Sequence, residues 1–216
     1  MRRSFAFVAA VVLVGACSSP SASPSLLPTP SPTATTAPTP TATQAASAPS
    51  AALPYAIDLP PGWVAFDLSN PAAQTALDAF VQANPAMAGM IAGFKALKNA
   101  SLYIQSLLGN ILVVIPLPSN GVSLATLGPN LTAQFKVVPG VVGVPVATSL
   151  TLPIGDALHW PLSLSAAKPG GGTITVEESI YLVVNAQTAL IVEFVTASGG
   201  TVPDEGTIIQ SLRFQP

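Results

Sequence analysis

Few side chains in this sequence belong to the types that carry out covalent chemistry. The 216 residues include one histidine, His159, and one cysteine, Cys17. Asp156 lies three residues before His159 and serines are plentiful, so the acid, base and nucleophile of a hydrolase all occur. However, no Gly-x-Ser-x-Gly motif places a serine on a nucleophile turn. The sequence therefore favours a protein that is not an enzyme, and a hydrolase using His159 is the less favoured alternative.

Paired carboxylates are the second candidate for chemistry. Glycoside hydrolysis needs two acids about 5 to 9 Å apart across a cleft. Glu177 and Glu193 fall on neighbouring strands of a predicted hairpin, but like charges opposite one another destabilise a sheet. Either the register separates them or one of them titrates abnormally, and we favour separation. Glu177 and Glu178, like Asp204 and Glu205, are adjacent in sequence, and we interpret them as solvated edge charges. With a single histidine and a single cysteine, the sequence predicts no metal site and no cofactor.

A group of flexible apolar residues is the third candidate. Met87, Met90, Ile91 and Phe94 recur at helical spacing and form an adaptable apolar face. Such a face suits either core packing or a groove for an apolar ligand or partner, and both interpretations stay open.

The composition limits the classes of partner. Half of the residues are hydrophobic, only 7% are charged, and the formal net charge is −2. A mildly acidic chain without a basic cluster argues against nucleic acid as a partner. The apolar run at residues 5–16 is shorter than the roughly 20 residues of a spanning helix, and it fits the apolar core of an export signal.

The N-terminus has the organisation of an export signal. Arg2 and Arg3 supply positive charge before the apolar run, which small residues follow up to Cys17. The sequence Val-Gly-Ala-Cys at 14–17 resembles the lipobox of bacterial lipoproteins. That resemblance implies removal of residues 1–16, lipidation of Cys17 and a palmitate-containing anchor on the extracytoplasmic side of the cell membrane. Sec and twin-arginine export both remain open.

The segment at residues 17–52 reads as a disordered tether. After Cys17, all but three of its residues are Ser, Thr, Pro or Ala, and none is charged. Such a segment cannot bury enough apolar surface to offset its ordering entropy. Recurrent prolines favour an extended chain with a reach of at most about 110 Å.

Residues 53–216 read as a single α+β domain. Asn70 followed by Pro71 predicts a helix start, and Asn84 followed by Pro85 can be a second one, so we expect two helices or one kinked helix over 71–97. Trp160 is expected in the core or over a strand edge. Further predicted elements are strands at 102–107, 111–115, 145–152 and 157–164, the last two joined by a turn at Gly155 and Asp156, a helix at 123–137, a hairpin at 174–184 and 189–196, and a helix at 203–209. Short connections require antiparallel pairing, so we expect a mostly antiparallel sheet covered by helices.

Five stretches of this domain resemble the PsbP-like α/β/α sandwich of LpqN-type bacterial lipoproteins. They are LPPGW at 59–63, GDAL at 155–158, IYLVVN at 180–185, ALIVEFVT at 189–196 and IQSLRF at 209–214. The resemblance implies a non-catalytic binding or assembly role in the cell envelope. We therefore expect a membrane-anchored lipoprotein that binds an envelope protein, or alternatively carries a hydrophobic ligand.

Overall fold

The computed structural model describes residues 53–105, 108–167, 172–196 and 201–215. The elements in these ranges are, in chain order, β1 (Tyr55–Ala56), β2 (Trp63–Asp67), α1 (Pro71–Ala83), α2 (Ala88–Phe94), β3 (Ser101–Gln105), β4 (Asn110–Pro118), α3 (Leu124–Phe135), β5 (Val141–Val142), β6 (Thr148–Leu152), β7 (Gly155–Ala167), β8 (Thr173–Val184), β9 (Thr188–Thr196), α4 (Glu205–Gln210) and β10 (Arg213–Phe214). The predicted signal, Cys17 and tether lie outside the described residues.

A central antiparallel sheet has the strand order β2-β3-β4-β9-β8-β7-β5, and β6 pairs with the same edge of β7 as β5. Tight turns enforce the antiparallel pairing. In the β8–β9 turn the Asn185 side chain accepts hydrogen bonds from the backbone N–H groups of Gln187 (2.9 Å) and Thr188 (2.7 Å). This local bonding is what makes Asn a turn residue, and the predicted hairpin is confirmed.

Helices α1, α2 and α3 cover one face of the sheet. The Asn70 side chain accepts a hydrogen bond from the N–H of Ala72 at 2.9 Å, which confirms the predicted start of α1. Fully buried residues of the helix layer, such as Leu77, Ile91 and Phe94, pack against the apolar side chains of the strands. We call the face of the sheet under α1, α2 and α3 the helix side, and the apolar residues packed there the helix-side core.

The other face of the sheet is covered by α4 and by a ribbon formed by β1 and β10. Ile208 and Ile209 of α4 pack with Leu190 and Phe194 of β9, and all four are buried. The domain therefore has helices on both faces of a mostly antiparallel sheet, and the predicted α+β class is confirmed.

Two local predictions need correction. Asn84 does not cap the helix that follows it, because its side chain donates to the carbonyl of Phe80 (2.9 Å) and so closes the end of α1. The turn predicted at Gly155 and Asp156 lies two residues earlier, and those two residues begin β7. Trp160 is completely buried in the core, as one of the two expectations for it stated.

Candidate functional site

An open groove of about 820 Å³ lies between α3 and the β6–β7 strands, on the helix side of the sheet. Its wall is α3 from Leu124 to Lys136, and its floor includes Ala147, Ser149, Thr151 and Leu158. We call it the α3–β6 groove. It forms because α3 packs over β7 and β8 and leaves the helix-side face of β6 uncovered. The groove is therefore an accessible cleft at the edge of the sheet.

Two contacts fix the direction of α3 over the sheet. Gly128 lies so close to Leu158 that a Cβ atom at position 128 would overlap Leu158 Cδ1. One turn later, Trp160 Nε1 donates a hydrogen bond to Thr132 Oγ1 at 3.0 Å. α3 consequently runs in the same direction as β7.

Polar groups surround an otherwise mostly apolar groove. Because α3 runs along β7, Lys136 and Asp156 lie at opposite ends of the groove. Pro129 has no N–H group, so it cannot form the helical hydrogen bond to the carbonyl of Ala125, which also lines the groove. The groove thus offers a cation and a carboxylate at the two ends of a mostly apolar surface.

A polar cluster occupies the opposite face of the sheet, where β7 and β8 meet α4. Ser179 Oγ lies 2.7 Å from His159 Nε2 and donates to Glu205 Oε1 at 2.5 Å. The Tyr181 hydroxyl donates to the same carboxylate oxygen at 2.7 Å, and the Tyr181 ring stacks on the His159 ring with centroids 4.4 Å apart. We call His159, Ser179, Tyr181 and Glu205 the His159 cluster.

The direction of the protons in the His159 cluster differs from that in a catalytic dyad. A serine hydroxyl has one proton, and Ser179 gives it to the Glu205 carboxylate. His159 Nε2 must therefore donate to Ser179 Oγ, whereas a general base has to accept from its nucleophile. Burial lowers the pKa of His159, and the nearby Glu205 charge opposes this shift only in part. In this arrangement Ser179 is not activated.

Two carboxylates lie within the helix-side core. Glu178 and Glu193 are 6% and 4% exposed, and both side chains point to the same face because Glu193 pairs with Ile180, two residues from Glu178. Burial raises the pKa of Glu178 to about 7. Burial and the Glu178 charge raise the pKa of Glu193 well above its usual range. We call them the buried glutamate pair.

The buried glutamate pair corrects one interpretation made from the sequence and agrees with another. Glu178 is not a solvated edge charge, because it alternates with Val176 and Ile180 on the buried face of β8. Glu177 faces the other side of the sheet, where Ser163 Oγ donates to it at 2.6 Å. The expected separation of Glu177 from Glu193 is therefore present, but Glu178 takes the place next to Glu193.

The predicted apolar face lies mainly inside the molecule. Met87, Ile91 and Phe94 are buried in the helix-side core, and Met90 is partly buried against it. These residues do not line the α3–β6 groove, which lies against α3 instead. Their use as a binding surface would require α2 to move.

The sequence reasoning did not identify the groove, Glu205 as a partner of His159, or the buried glutamate pair. For Glu178 a signal existed, since the residues two positions before and after it are both apolar. For Glu205 no local signal exists, because it meets Ser179 only through the docking of α4.

The described residues also bear on metal sites and membrane-spanning helices. No three His, Cys, Asp or Glu side chains within 53–105, 108–167, 172–196 and 201–215 come together as metal ligands. Among the helices in those ranges, none has the length and apolar content needed to cross a membrane.

No family model and no curated protein matches this chain. One solved structure that resembles it is a protein of Bacteroides thetaiotaomicron VPI-5482, with 11% identity and a TM-score of 0.44; the alignment covers 76% of this chain and 46% of that protein. Another is LpqN of Mycobacterium tuberculosis, described as involved in cell envelope biogenesis, with 11% identity, a TM-score of 0.41, and coverage of 75% of this chain and 83% of LpqN. At these values neither likeness says what this chain does.

Proposed function

We propose that this protein is a lipid-anchored envelope protein whose α+β domain binds a partner protein, or alternatively an apolar ligand, in the α3–β6 groove without catalysing a reaction. The observation that carries the proposal is the groove itself, a cleft with a mostly apolar surface and a few polar lining residues. Concave apolar sites with a few placed polar groups are where proteins usually bind their ligands.

The anchor is supported by the residues around Cys17, which have the order of a lipoprotein signal. Two acyl chains are enough for stable anchoring, since each buried CH₂ contributes roughly 0.8 kcal/mol. We expect Cys17→Ser to abolish palmitate labelling and to leave an uncleaved precursor or release the protein into the medium. Ser18→Ala is the matched control and should label normally. Continued labelling of Cys17→Ser would disprove the anchor.

The binding role is tested by a photo-reactive amino acid at Ser149, an exposed position that lines the groove. The same amino acid at Gln187, an exposed residue of the β8–β9 turn that does not line the groove, is the control. We expect irradiation of cells to give an adduct at position 149 and not at 187, and the adduct mass separates a protein partner from a small apolar ligand. Equal labelling at both positions, or none at either, would refute the binding role.

A hydrolase is the competing function, and one observation favours it. Ser179 Oγ and His159 Nε2 are 2.7 Å apart, the distance between a nucleophile and its base. Hydrolysis of chromogenic esters that is lost in both His159→Ala and Ser179→Ala would establish it. Because Ser179 donates its proton to Glu205 and not to His159, we expect any esterase activity to survive both changes.

A further inference from the structure

The edge strand β6 lacks the features that normally protect edge strands from pairing with other chains. Edge strands avoid pairing with other chains by means of charges, prolines, bulges or very short length. The sequence of β6 is Thr-Ser-Leu-Thr-Leu, which contains no charged residue and no proline. Within the described chain, β6 pairs only with β7. By contrast, β5 has two residues, and β2 ends at Asp67. β6 is therefore a five-residue edge with unpaired backbone groups.

Exposed hydrophobic residues are frequent in the segment that joins α3 to β6. Six large hydrophobic residues are exposed in the described ranges, and four of them, Val137, Val142, Val144 and Val146, lie in this segment. Val137 directly follows Lys136, and Val146 directly precedes the groove residue Ala147. Exposed apolar side chains therefore flank the Lys136 end of the groove in sequence.

We propose that β6 and the α3–β6 groove bind an extended segment of a partner protein, which adds to β6 as an antiparallel strand and places large apolar side chains in the groove. This inference rests on the proposed binding function and names the class of ligand. An edge strand needs donors and acceptors at regular spacing, and a polypeptide supplies them whereas an acyl chain does not. The groove along α3 is about 17 Å long, which accommodates about five extended residues.

The antiparallel direction of the segment determines which charges it should carry at its two ends. An antiparallel strand beside β6 begins near Asp156 and ends near Lys136, because Thr151 pairs with Asp156 and Ala147 lies at the other end of β6. The two ion pairs of the described chain are Lys95–Asp78 and Arg213–Asp58, so neither Lys136 nor Asp156 is in an ion pair. Asp156 Oδ1 accepts a hydrogen bond from Thr151 Oγ1 at 3.3 Å, and the carboxylate can accept further bonds from a ligand. The segment should therefore carry a basic residue at its N-terminal end and an acidic residue at its C-terminal end.

A second copy of this chain fits the site less well than a different polypeptide. The side chains that β6 directs to the helix side, Ser149 and Thr151, are small, as is Ala147 just before the strand. A second β6 would pair with the edge but would leave the groove unfilled. A partner segment with large apolar residues at alternate positions would both pair with the edge and fill the groove.

The test is a selection from a display library of random ten-residue peptides against the full chain in lipid nanodiscs. We expect selected peptides to alternate apolar and polar residues, with a basic residue before and an acidic residue after the apolar positions. Binding of a selected peptide should slow amide hydrogen exchange of β6 and not of β2. Peptides without this pattern, or protection elsewhere than at β6, would overturn the proposal.

Charge reversal tests the direction of binding. We expect Lys136→Glu to weaken a selected peptide by about twofold to fivefold, as for an exposed ion pair, and a peptide with a basic C-terminal end to recover the affinity. Lys98→Glu is the control, because Lys98 is exposed and lies away from the groove. If both variants weaken binding equally, or the reversed peptide gives no recovery, the assigned direction is wrong.

Edge blocking separates this proposal from the broader binding function. Ser149→Lys places a charge on the edge and in the groove, and we expect about tenfold weaker peptide binding, whereas Gln187→Lys should bind normally. A groove adduct whose mass is that of a lipid, or a dimer of the chain that Ser149→Lys dissolves, would refute the partner segment while leaving groove binding intact. Absence of any adduct would refute both.

Discussion

Glu178 and Ser179 are neighbours in β8, yet their side chains enter opposite faces of the sheet and different electrostatic environments. Ser179 joins the His159 cluster, in which each hydroxyl has a partner at 2.5 to 2.7 Å. Glu178 lies in the helix-side core next to Glu193, and burial raises the pKa of both. A polar network that satisfies its members supports the fold, whereas two like carboxylates in an apolar core oppose it once they ionise.

This difference shows which group makes the stability of the domain fall with rising pH. The folded pKa of Glu178 is above its unfolded value of 4.5, so its protonated form is favoured in the folded state. Stability from this group is fully present below about pH 4.5 and is lost as the pH rises through about 7. The shift to about 7 corresponds to about 3 kcal/mol at higher pH. His159 has the opposite pH dependence: its pKa is lowered in the fold, so its contribution to stability is lost as the pH falls.

The largest expected effect is that of Glu178→Leu. Removing a carboxylate that must ionise in an apolar core should raise the free energy of unfolding at pH 8 by about 3 kcal/mol and change it little at pH 4.5. Denaturant titrations at the two pH values measure this difference. Glu177→Leu, the adjacent residue on the other face, is the control and should not stabilise. Destabilisation by Glu178→Leu at pH 8 would show that the carboxylate has a favourable partner.

Removal of the acceptor from the His159 cluster should destabilise the domain, in contrast to Glu178→Leu. Glu205→Leu leaves the hydroxyls of Ser179 and Tyr181 without their shared acceptor, and burial with the Glu205 charge keeps Tyr181 protonated as a donor. We expect the free energy of unfolding to fall by about 2 kcal/mol. Glu205→Gln retains an acceptor oxygen and should lose less. An unchanged Glu205→Leu would mean that the cluster adds no stability.

Thr132→Val tests whether a hydrogen-bonded polar group stabilises the domain on the same side of the sheet as the buried glutamate pair. The change removes the acceptor of Trp160 Nε1 with little change of shape, since valine and threonine are nearly isosteric. Unfolding should become easier by about 1 kcal/mol. Thr132→Ser keeps the hydroxyl and serves as the control. Equal losses in the two variants would point to packing as the cause.

The smallest effect is expected for His159→Phe, which keeps the stacking on Tyr181 and loses the hydrogen bond to Ser179. At pH 8 the free energy of unfolding should decrease by about 0.5 kcal/mol. Wild-type stability from His159 is lost as the pH falls below about 6.5, so the difference between the two proteins should narrow at pH 5. A difference that widens at pH 5 would reverse the assigned sign.

Much of the fold could be predicted because its signals are local. Asn70 with Pro71 starts α1 through a side-chain bond two residues away, and Asn185 closes the β8–β9 turn in the same way. That turn already implies the register in which Glu193 pairs with Ile180, so the place of Glu193 beside Glu178 was accessible to a closer interpretation of the sequence. The strand alternation around Glu178 was a second such signal.

The sequence by itself determined the α+β class, the hairpin at Asn185, the burial of Trp160 as one of two expectations, and the prediction of a lipid anchor at Cys17. Only the tertiary structure decided that Glu205 meets Ser179, 26 residues away, and that α3 leaves β6 uncovered to form the groove. The physical reason is range. Caps, turns and strand alternation depend on backbone geometry within a few residues, whereas the position of a helix over a sheet depends on how all the buried side chains of two layers fit together.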